Sequence, residues 1–175
     1  MLQILARVDD AVRRVEHHLL WTLLGIIAAT LLAAVFFRYV LASPFTWTEE
    51  LVTILFTWMV FIGASACFAS HQHIRVDSLP RISPLPVRVV LGLLSVLACF
   101  VILGICVRYG LLYAQRVAND RTPMMNLSFS VVALALPVTS VAAMLHILRE
   151  ILSGGPERVL MSTVEMAEDE PGAPL

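Results

Sequence analysis

Four long runs of apolar residues, separated by short polar segments, dominate the pattern of the sequence. Each run contains 19 or 20 residues and none of them is charged. At a rise of about 1.5 Å per residue such runs form helices of about 28–30 Å, the thickness of the hydrocarbon core of a bilayer. The pattern therefore predicts four transmembrane helices, at about residues 19–37, 51–70, 89–107 and 127–145.

Residues 1–18 show a different pattern, in which apolar residues recur at alternating spacings of three and four. Acidic residues precede arginines by four positions in Asp9–Arg13 and Asp10–Arg14, which favours ion pairs on a helix surface. We predict an amphipathic interfacial helix whose apolar stripe faces the headgroup boundary or a partner helix. Because these charged residues precede the first apolar run, we expect no cleaved signal peptide. The stripe consists of Leu5, Val8, Val12, Val15 and Leu19.

Residues 19–148 are predicted to form one four-helix transmembrane domain. Short connections make successive helices antiparallel neighbours, and the third helix is expected to continue beyond the bilayer to about Gln115. Residues 149–175 are predicted to be a cytoplasmic tail, disordered from about residue 154, because they are rich in Gly, Pro and acidic residues.

Pro137 is expected to bend the fourth transmembrane helix near its middle. Proline has no backbone N–H, so the carbonyl of Ala133 loses its usual helical donor. The hydroxyl of Ser130 or Thr139 is expected to compensate locally.

Composition agrees with a bilayer as the solvent, since 59% of the 175 residues are hydrophobic, 14% are charged and the mean hydropathy is +0.85. A soluble helical bundle would need polar helix faces that these runs do not offer. The net charge of −1 gives no indication of a nucleic-acid surface. Three cysteines lie within the predicted spans, where packing is favoured over disulfide or metal chemistry: Cys67, Cys99 and Cys106.

The distribution of arginine predicts the orientation, because cytoplasmic loops carry an excess of basic residues. All 12 basic residues are arginines; eight lie on the side of the termini and four on the other side. We therefore expect an all-α integral membrane protein with four transmembrane helices, an N-terminal amphipathic helix and both termini cytoplasmic. The four arginines on the opposite side are Arg38, Arg108, Arg116 and Arg121.

The predicted spans contain no ionisable residue with which a stand-alone ion-coupled transporter would bind substrate or protons. The sequence also has no phosphate-binding GxxxxGK[ST] loop and no nucleophile elbow, so no enzymatic activity is expected. Histidines are expected near the cytoplasmic interface. They are interpreted as polar residues at helix ends, with haem or zinc ligation as the alternative: His17, His18, His71, His73 and His146.

Residues 38–50, here called the 38–50 hairpin, combine basic, aromatic and acidic residues between the first two spans. One interpretation is structural: Arg38 complements a helix C-terminus, Glu49 and Glu50 a helix N-terminus, and Tyr39 and Trp47 the interfacial belt. The other is that Arg38 forms an ion pair with Glu49 or Glu50, or with a partner protein, in a partly desolvated position.

The second span ends in a stripe of small residues through Gly63, Ala66, Cys67 and Ser70, which indicates close helix contact. A polar segment follows the stripe. His73 and Asp77 lie four residues apart in it and are expected to pair if the helix continues.

The stretch from Arg38 to Asp77 resembles the small, DctQ-like membrane subunit of tripartite ATP-independent periplasmic (TRAP) transporters. The resemblance is carried by the Arg38-Tyr39 pair, the turn from Trp47 to Glu50 and the Gly63-Ala64 pair, followed by His73-Ile74 and Val76-Asp77.

This resemblance implies a large multi-span membrane subunit as partner, which binds Na⁺ and substrate and moves as an elevator, together with a soluble periplasmic substrate-binding protein. It implies location in the bacterial inner membrane, no cofactor on this chain, and an organic acid as substrate. The chain itself would be a non-catalytic scaffold. Two alternatives remain open: a stand-alone four-helix transporter, and the membrane anchor of a redox enzyme.

Overall fold

A computed structural model describes residues 2–69 and 85–158 of the chain. The described residues form helices, with one isolated β-bridge between Arg121 and Ser128. His73 and Asp77, and the predicted tail from residue 159 onward, lie outside the described residues. The helices are α1 (Leu2–Tyr39), α2 (Thr48–Ala69), α3 (Leu85–Arg116), α4 (Ser130–Ala133) and α5 (Ala135–Arg158).

Four segments are long and apolar enough to cross a membrane, which confirms the all-α class with four spanning helices. The first belongs to a helix of 38 residues, so the amphipathic segment and the first span form one continuous rod. At about 1.5 Å per residue α1 is about 57 Å long, well beyond the hydrocarbon core of a bilayer. Helix α5 runs to Arg158 and so includes the first residues of the predicted tail.

Helix α5 is the central element of the bundle, because it packs against α1, α2 and α3. The expectation that all successive spans are neighbours was wrong for α2 and α3, which do not pack against each other among the described residues. Its residues Ala143 and Ile147 are buried together with Leu103 of α3, and apolar side chains of both helices surround them. Cys99 packs against this cluster as a free thiol, in agreement with a packing role.

The fourth span is divided into α4 and α5 at Leu134, three residues before Pro137, although Leu134 keeps helical dihedral angles (φ −70°, ψ −16°). The missing N–H of Pro137 accounts for the interrupted hydrogen-bond ladder, while the predicted bend of the helix axis stays a prediction. The predicted compensation was wrong, because the hydroxyl of Ser130 donates to the carbonyl oxygen of Ala114 in α3 (2.5 Å) and not to Ala133. Thr139 donates to the carbonyl oxygens of Ala135 (2.7 Å) and Leu136 (3.2 Å) within α5.

A tryptophan from another helix bonds to the broken segment. The indole N–H of Trp58, midway along α2, donates to the carbonyl oxygen of Val131 in α4 at 3.0 Å. A carbonyl at a helix break in an apolar environment needs such a donor, since no water is available there. Trp58 therefore joins α2 to the interruption in the fourth span.

Candidate functional site

The last turn of α1 and the first turn of α2 are joined by an ion pair in the 38–50 hairpin. The Nη2 atom of Arg38 lies 3.2 Å from Oε1 of Glu49. The two side chains are 54% and 82% exposed in the isolated chain, so water screens the pair and its contribution is about 0–1 kcal/mol. Of the two acidic candidates, the structure selects Glu49 as the partner of Arg38.

Three aromatic rings contact one another in sequence along this hairpin. The ring centroid of Phe45 lies 4.4 Å from that of Phe37 and 5.7 Å from that of Trp47. The turn requires a left-handed backbone at Ala42 (φ 46°), and the hydroxyl of Thr48 donates to the carbonyl oxygen of Phe45 at 3.0 Å. Thr48 thus closes the turn as α2 begins.

Glu50 has a different role from its neighbour Glu49. Its carboxylate accepts hydrogen bonds from the backbone N–H groups of Met124 (2.9 Å) and Met125 (3.2 Å). Both belong to residues 117–129, here called the 117–129 loop, which connects α3 to α4. Bonds to an ionised acceptor are stronger than neutral ones, so Glu50 anchors this loop to the start of α2.

The 117–129 loop is itself ordered by hydrogen bonds at its tip. The N–H of Thr122 donates to the carbonyl oxygen of Leu127 (2.8 Å), and the N–H of Leu127 donates to the hydroxyl of Thr122 (3.0 Å). Asn126 takes the left-handed backbone that this tight turn needs (φ 54°), a conformation that asparagine tolerates better than most residues. Glu50 therefore accepts hydrogen bonds from a turn that has internal hydrogen bonds of its own.

The remaining predicted site residues are not part of one constellation. Tyr39 lies beside Arg38 at the exposed end of α1, and the ring of Trp47 contacts that of Phe45. Gly63 lies 13 residues after Glu50 in α2, about 20 Å away at the helical rise. A Cβ atom on Gly63 would meet Cδ2 of Leu20 at 3.8 Å, an ordinary contact, so α1 and α2 pack there without needing a glycine.

A buried polar cluster at the opposite end of the bundle joins α1, α2 and α5. Nδ1 of His146 lies 2.5 Å from Oδ1 of Asp9, and Nε2 of His146 lies 3.2 Å from Oε2 of Glu16. The hydroxyl of Ser65 donates to the other oxygen of Glu16 at 2.7 Å. All four side chains are buried. A neutral imidazole has one N–H, so both nitrogens are satisfied only when the cluster holds an extra proton.

Arg149 completes this cluster from one turn further along α5. Its guanidinium forms ion pairs with Asp9 and, at 2.8 Å, with Oδ1 of Asp10. The cluster therefore balances three carboxylates against one guanidinium and one imidazole. It fastens the N-terminal part of α1 to α5.

The sequence pattern did not reveal this cluster, because Asp9 and Asp10 each have an arginine four residues further along α1 as an apparent partner. The predicted Asp9–Arg13 ion pair was wrong, since Asp9 faces His146 and Arg149. Arg14 donates from Nε to the backbone carbonyl of Asp10 at 3.2 Å, and the Asp10 carboxylate faces Arg149. Exposed pairs within a helix contribute only about 0.2–0.5 kcal/mol, so a partner from α5 outcompetes them.

A usable signal was present in the spacing of the acids. Asp9 and Glu16 are seven residues apart and share one helix face, as do His146 and Arg149, three residues apart. His146 was expected to be an interfacial polar residue, and it is a buried one. Within residues 2–69 and 85–158, no group of three His, Cys, Asp or Glu residues is arranged to hold a metal ion.

Glu16 and Arg38 mark the two polar ends of the bundle. They are 22 residues apart in α1, which is about 33 Å at the helical rise and close to the thickness of a bilayer core. The buried polar cluster and the 38–50 hairpin are thus separated by about the thickness of the hydrocarbon core of a bilayer.

Comparison with known proteins gives a consistent family assignment. The family model described as tripartite ATP-independent periplasmic transporters, DctQ component, matches residues 27–154. The C4-dicarboxylate TRAP transporter small permease protein DctQ of Vibrio cholerae is 32% identical over 94 residues, covering 54% of this chain and 40% of that protein. The sialic acid TRAP transporter small permease protein SiaQ of the same organism is 25% identical over 142 residues, covering 81% and 82%.

A third relative is much longer than this chain. The sialic acid TRAP transporter permease protein SiaT of Haemophilus influenzae is 26% identical over 142 residues, covering 79% of this chain and 22% of that protein. The chain therefore matches less than half the length of SiaT and of the Vibrio DctQ protein.

Proposed function

Since the chain belongs to the family of DctQ components of tripartite ATP-independent periplasmic transporters, we propose that it is the non-catalytic small membrane subunit of such a transporter. In this role it anchors a large elevator-type membrane subunit and enlarges its static scaffold. The large subunit carries the Na⁺ and substrate sites, and this chain needs no cofactor of its own.

One observation carries the proposal: ionisable side chains are confined to the two ends of the bundle. The four apolar runs contain no Asp, Glu, His, Lys or Arg, and the charged groups of the 38–50 hairpin and of the buried polar cluster lie about 33 Å apart along α1. A transport path through this chain alone would need a polar group between those ends. A static, lipid-embedded support does not.

The length of the SiaT relative supports a large partner. The region similar to this chain makes up 22% of that permease, so most of its polypeptide lies outside the similar region. We propose that a separate large subunit supplies the corresponding part for this chain, and that a periplasmic binding protein delivers the substrate. The relatives are named for C4-dicarboxylate and sialic acid, so the proposed substrate class is an organic acid.

The proposed setting is the bacterial inner membrane, with both termini cytoplasmic as the arginine distribution predicts. The 38–50 hairpin and the 117–129 loop then lie on the periplasmic face. Arg38, Tyr39, Trp47 and Glu49 are exposed there, available to the large subunit or the binding protein, while Glu50 holds the loop beneath them.

Co-purification tests the subunit assignment. The tagged full-length chain is expressed with the large permease subunit encoded in the same genome and extracted in mild detergent. We expect recovery of a multi-span protein, and loss of organic-acid uptake when this chain is deleted. Recovery of no large membrane protein, with uptake unaffected by the deletion, would contradict the proposal and favour a stand-alone protein.

Charge reversal tests the proposed role of the hairpin surface. Arg38→Glu and Glu49→Arg are made singly and together in the assembled transporter. We expect each single change to lower complex recovery and uptake, because it reverses an exposed charge on the proposed contact surface. Wild-type recovery and uptake in all three variants would remove the 38–50 hairpin from the interface.

A further inference from the structure

A cleft of about 670 Å³ opens between α1 and α2 beside the buried polar cluster. Its volume lies within the range of about 300–1,000 Å³ found for small-ligand sites. Four basic side chains from two successive turns of α1 line it: Arg13, Arg14, His17 and His18. We call this the basic cleft.

The acidic residues of the basic cleft are already engaged on its far side. Asp10 forms an ion pair with Arg149, and Glu16 bonds to His146 and Ser65. Arg13, by contrast, has no ion pair among residues 2–69 and 85–158. The Nε atom of Arg14 bonds to a backbone carbonyl, which leaves the two Nη groups of its guanidinium. The cleft thus presents positive charge that no acidic side chain of residues 2–69 and 85–158 neutralises through an ion pair with Arg13 or Arg14.

The other lining residues are apolar, and Leu20 is the one nearest the centre of the span. They are Leu20, Ala66 and Ala69. Trp21 is exposed next to the cleft, and its indole N–H donates to Nε2 of His17 at 3.0 Å. A tryptophan with one polar contact and an exposed ring is typical of the membrane–water interface.

The position of the basic cleft relative to Arg38 places it at headgroup depth. Leu20 lies 18 residues and Arg13 lies 25 residues from Arg38 in α1, about 27 and 37 Å at the helical rise. The hydrocarbon core is about 30 Å thick and the whole bilayer about 40–45 Å. Leu20 therefore lies at the acyl boundary and the arginines lie among the headgroups.

We propose that the basic cleft binds an anionic phospholipid, whose phosphate lies between Arg13 and Arg14 and whose acyl chains pack on Leu20, Ala66 and Ala69. Guanidinium groups bind phosphate oxygens through two parallel N–H donors, and basic pockets between transmembrane helices select anionic headgroups. This site is independent of the proposed role as a transporter subunit.

Native mass spectrometry of the full-length chain in detergent tests the site with phosphatidylglycerol and phosphatidylcholine of identical acyl chains. We expect preferential retention of phosphatidylglycerol by the wild type. Arg13→Gln/Arg14→Gln is expected to lower that retention by about 25-fold, since each of the two basic residues contributes about a factor of five near an anionic surface. Arg13→Lys/Arg14→Lys, which keeps the charge, is expected to retain most of it.

The matched control is Arg116→Gln/Arg121→Gln, which removes two exposed arginines at the other end of the bundle and is expected to retain the lipid. Equal retention of the two lipids by the wild type would overturn the proposal. So would undiminished retention in Arg13→Gln/Arg14→Gln, or an equal loss in the control. Displacement of the lipid by millimolar inorganic phosphate would show a free-anion site and would also overturn it.

Discussion

Gly110 of α3 lies directly against Pro137 of α5. A Cβ atom on Gly110 would come within 2.9 Å of Cδ, 3.2 Å of Cγ and 3.3 Å of Cβ of the proline ring. The ring is rigid and fully buried, so it cannot turn aside as the end of a flexible side chain would. The absence of a side chain at Gly110 thus allows the proline-broken helix to pack against α3.

Gly110→Ala is therefore expected to destabilise the chain by about 1–3 kcal/mol through overpacking, and Gly110→Leu by more. The thermal unfolding midpoint in detergent measures the effect. Gly104→Ala in the same helix is the matched control, because a Cβ there would meet nothing within 4 Å. It is expected to leave the midpoint unchanged or raise it, since alanine favours helix. A Gly110→Ala protein as stable as Gly104→Ala would contradict the close contact.

Glu50→Ala is expected to release the 117–129 loop from α2. The Met124 and Met125 amides lose a charged acceptor, and hydrogen bonds to an ionised acceptor are stronger than neutral ones. Hydrogen–deuterium exchange of the peptide containing these amides is then expected to accelerate by about tenfold or more. Glu49→Ala is the control, since Glu49 pairs with Arg38, and its exchange at this peptide is expected to match the wild type. Equal acceleration in both variants would argue against the anchor.

The Arg38–Glu49 ion pair is expected to contribute little to stability. A double-mutant cycle with Arg38→Ala and Glu49→Ala is predicted to give a coupling energy below about 1 kcal/mol, because both side chains are exposed. The coupling is expected to fall further in high salt. A coupling of several kcal/mol in the isolated chain would mean that the pair is desolvated.

His146→Leu is expected to be severely destabilising, by about 3–5 kcal/mol, because it leaves the buried carboxylates of Asp9 and Glu16 without their shared partner. Replacing all three residues by leucine removes the charges together and is expected to restore much of the loss, with Arg149 still paired to Asp10. Unfolding midpoints in detergent compare the variants. His18→Leu, at an exposed position, serves as the control. A triple variant less stable than His146→Leu would show that the cluster contributes more than mutual neutralisation.

Trp58→Phe is expected to lower the free energy of unfolding by about 1 kcal/mol, because the carbonyl of Val131 loses its indole donor. Trp21→Phe removes an exposed indole that bonds within its own helix, and is expected to change the unfolding midpoint little. Equal midpoints for the two variants would leave the Trp58 bond without an energetic role.

The sequence indicated which segment contains the candidate site, residues 38–50. It did not show which residues in that segment pair with each other or with the rest of the chain. A pair between Arg38 and Glu49 or Glu50 was one of two interpretations of the 38–50 hairpin, and Glu49 is the partner. The role of Glu50 was not predictable, because its donors are backbone amides 74 and 75 residues away that every residue type except proline offers.

The sequence by itself determined the four spanning helices. Their signal is local: each apolar run must match the bilayer in length, and an uninterrupted run satisfies its backbone internally. Pro137 likewise predicted a missing hydrogen bond in the fourth span, because proline has no backbone N–H.

Only the tertiary structure decided which charges meet. The acids of α1 have nearby arginines in sequence, but exposed pairs within one helix are weak, and burial against His146 and Arg149 offers stronger partners. The choice of partner depends on how α1, α2 and α5 pack together. Helix periodicity shows which residues share one face of a helix, but it does not show which other helix packs against that face.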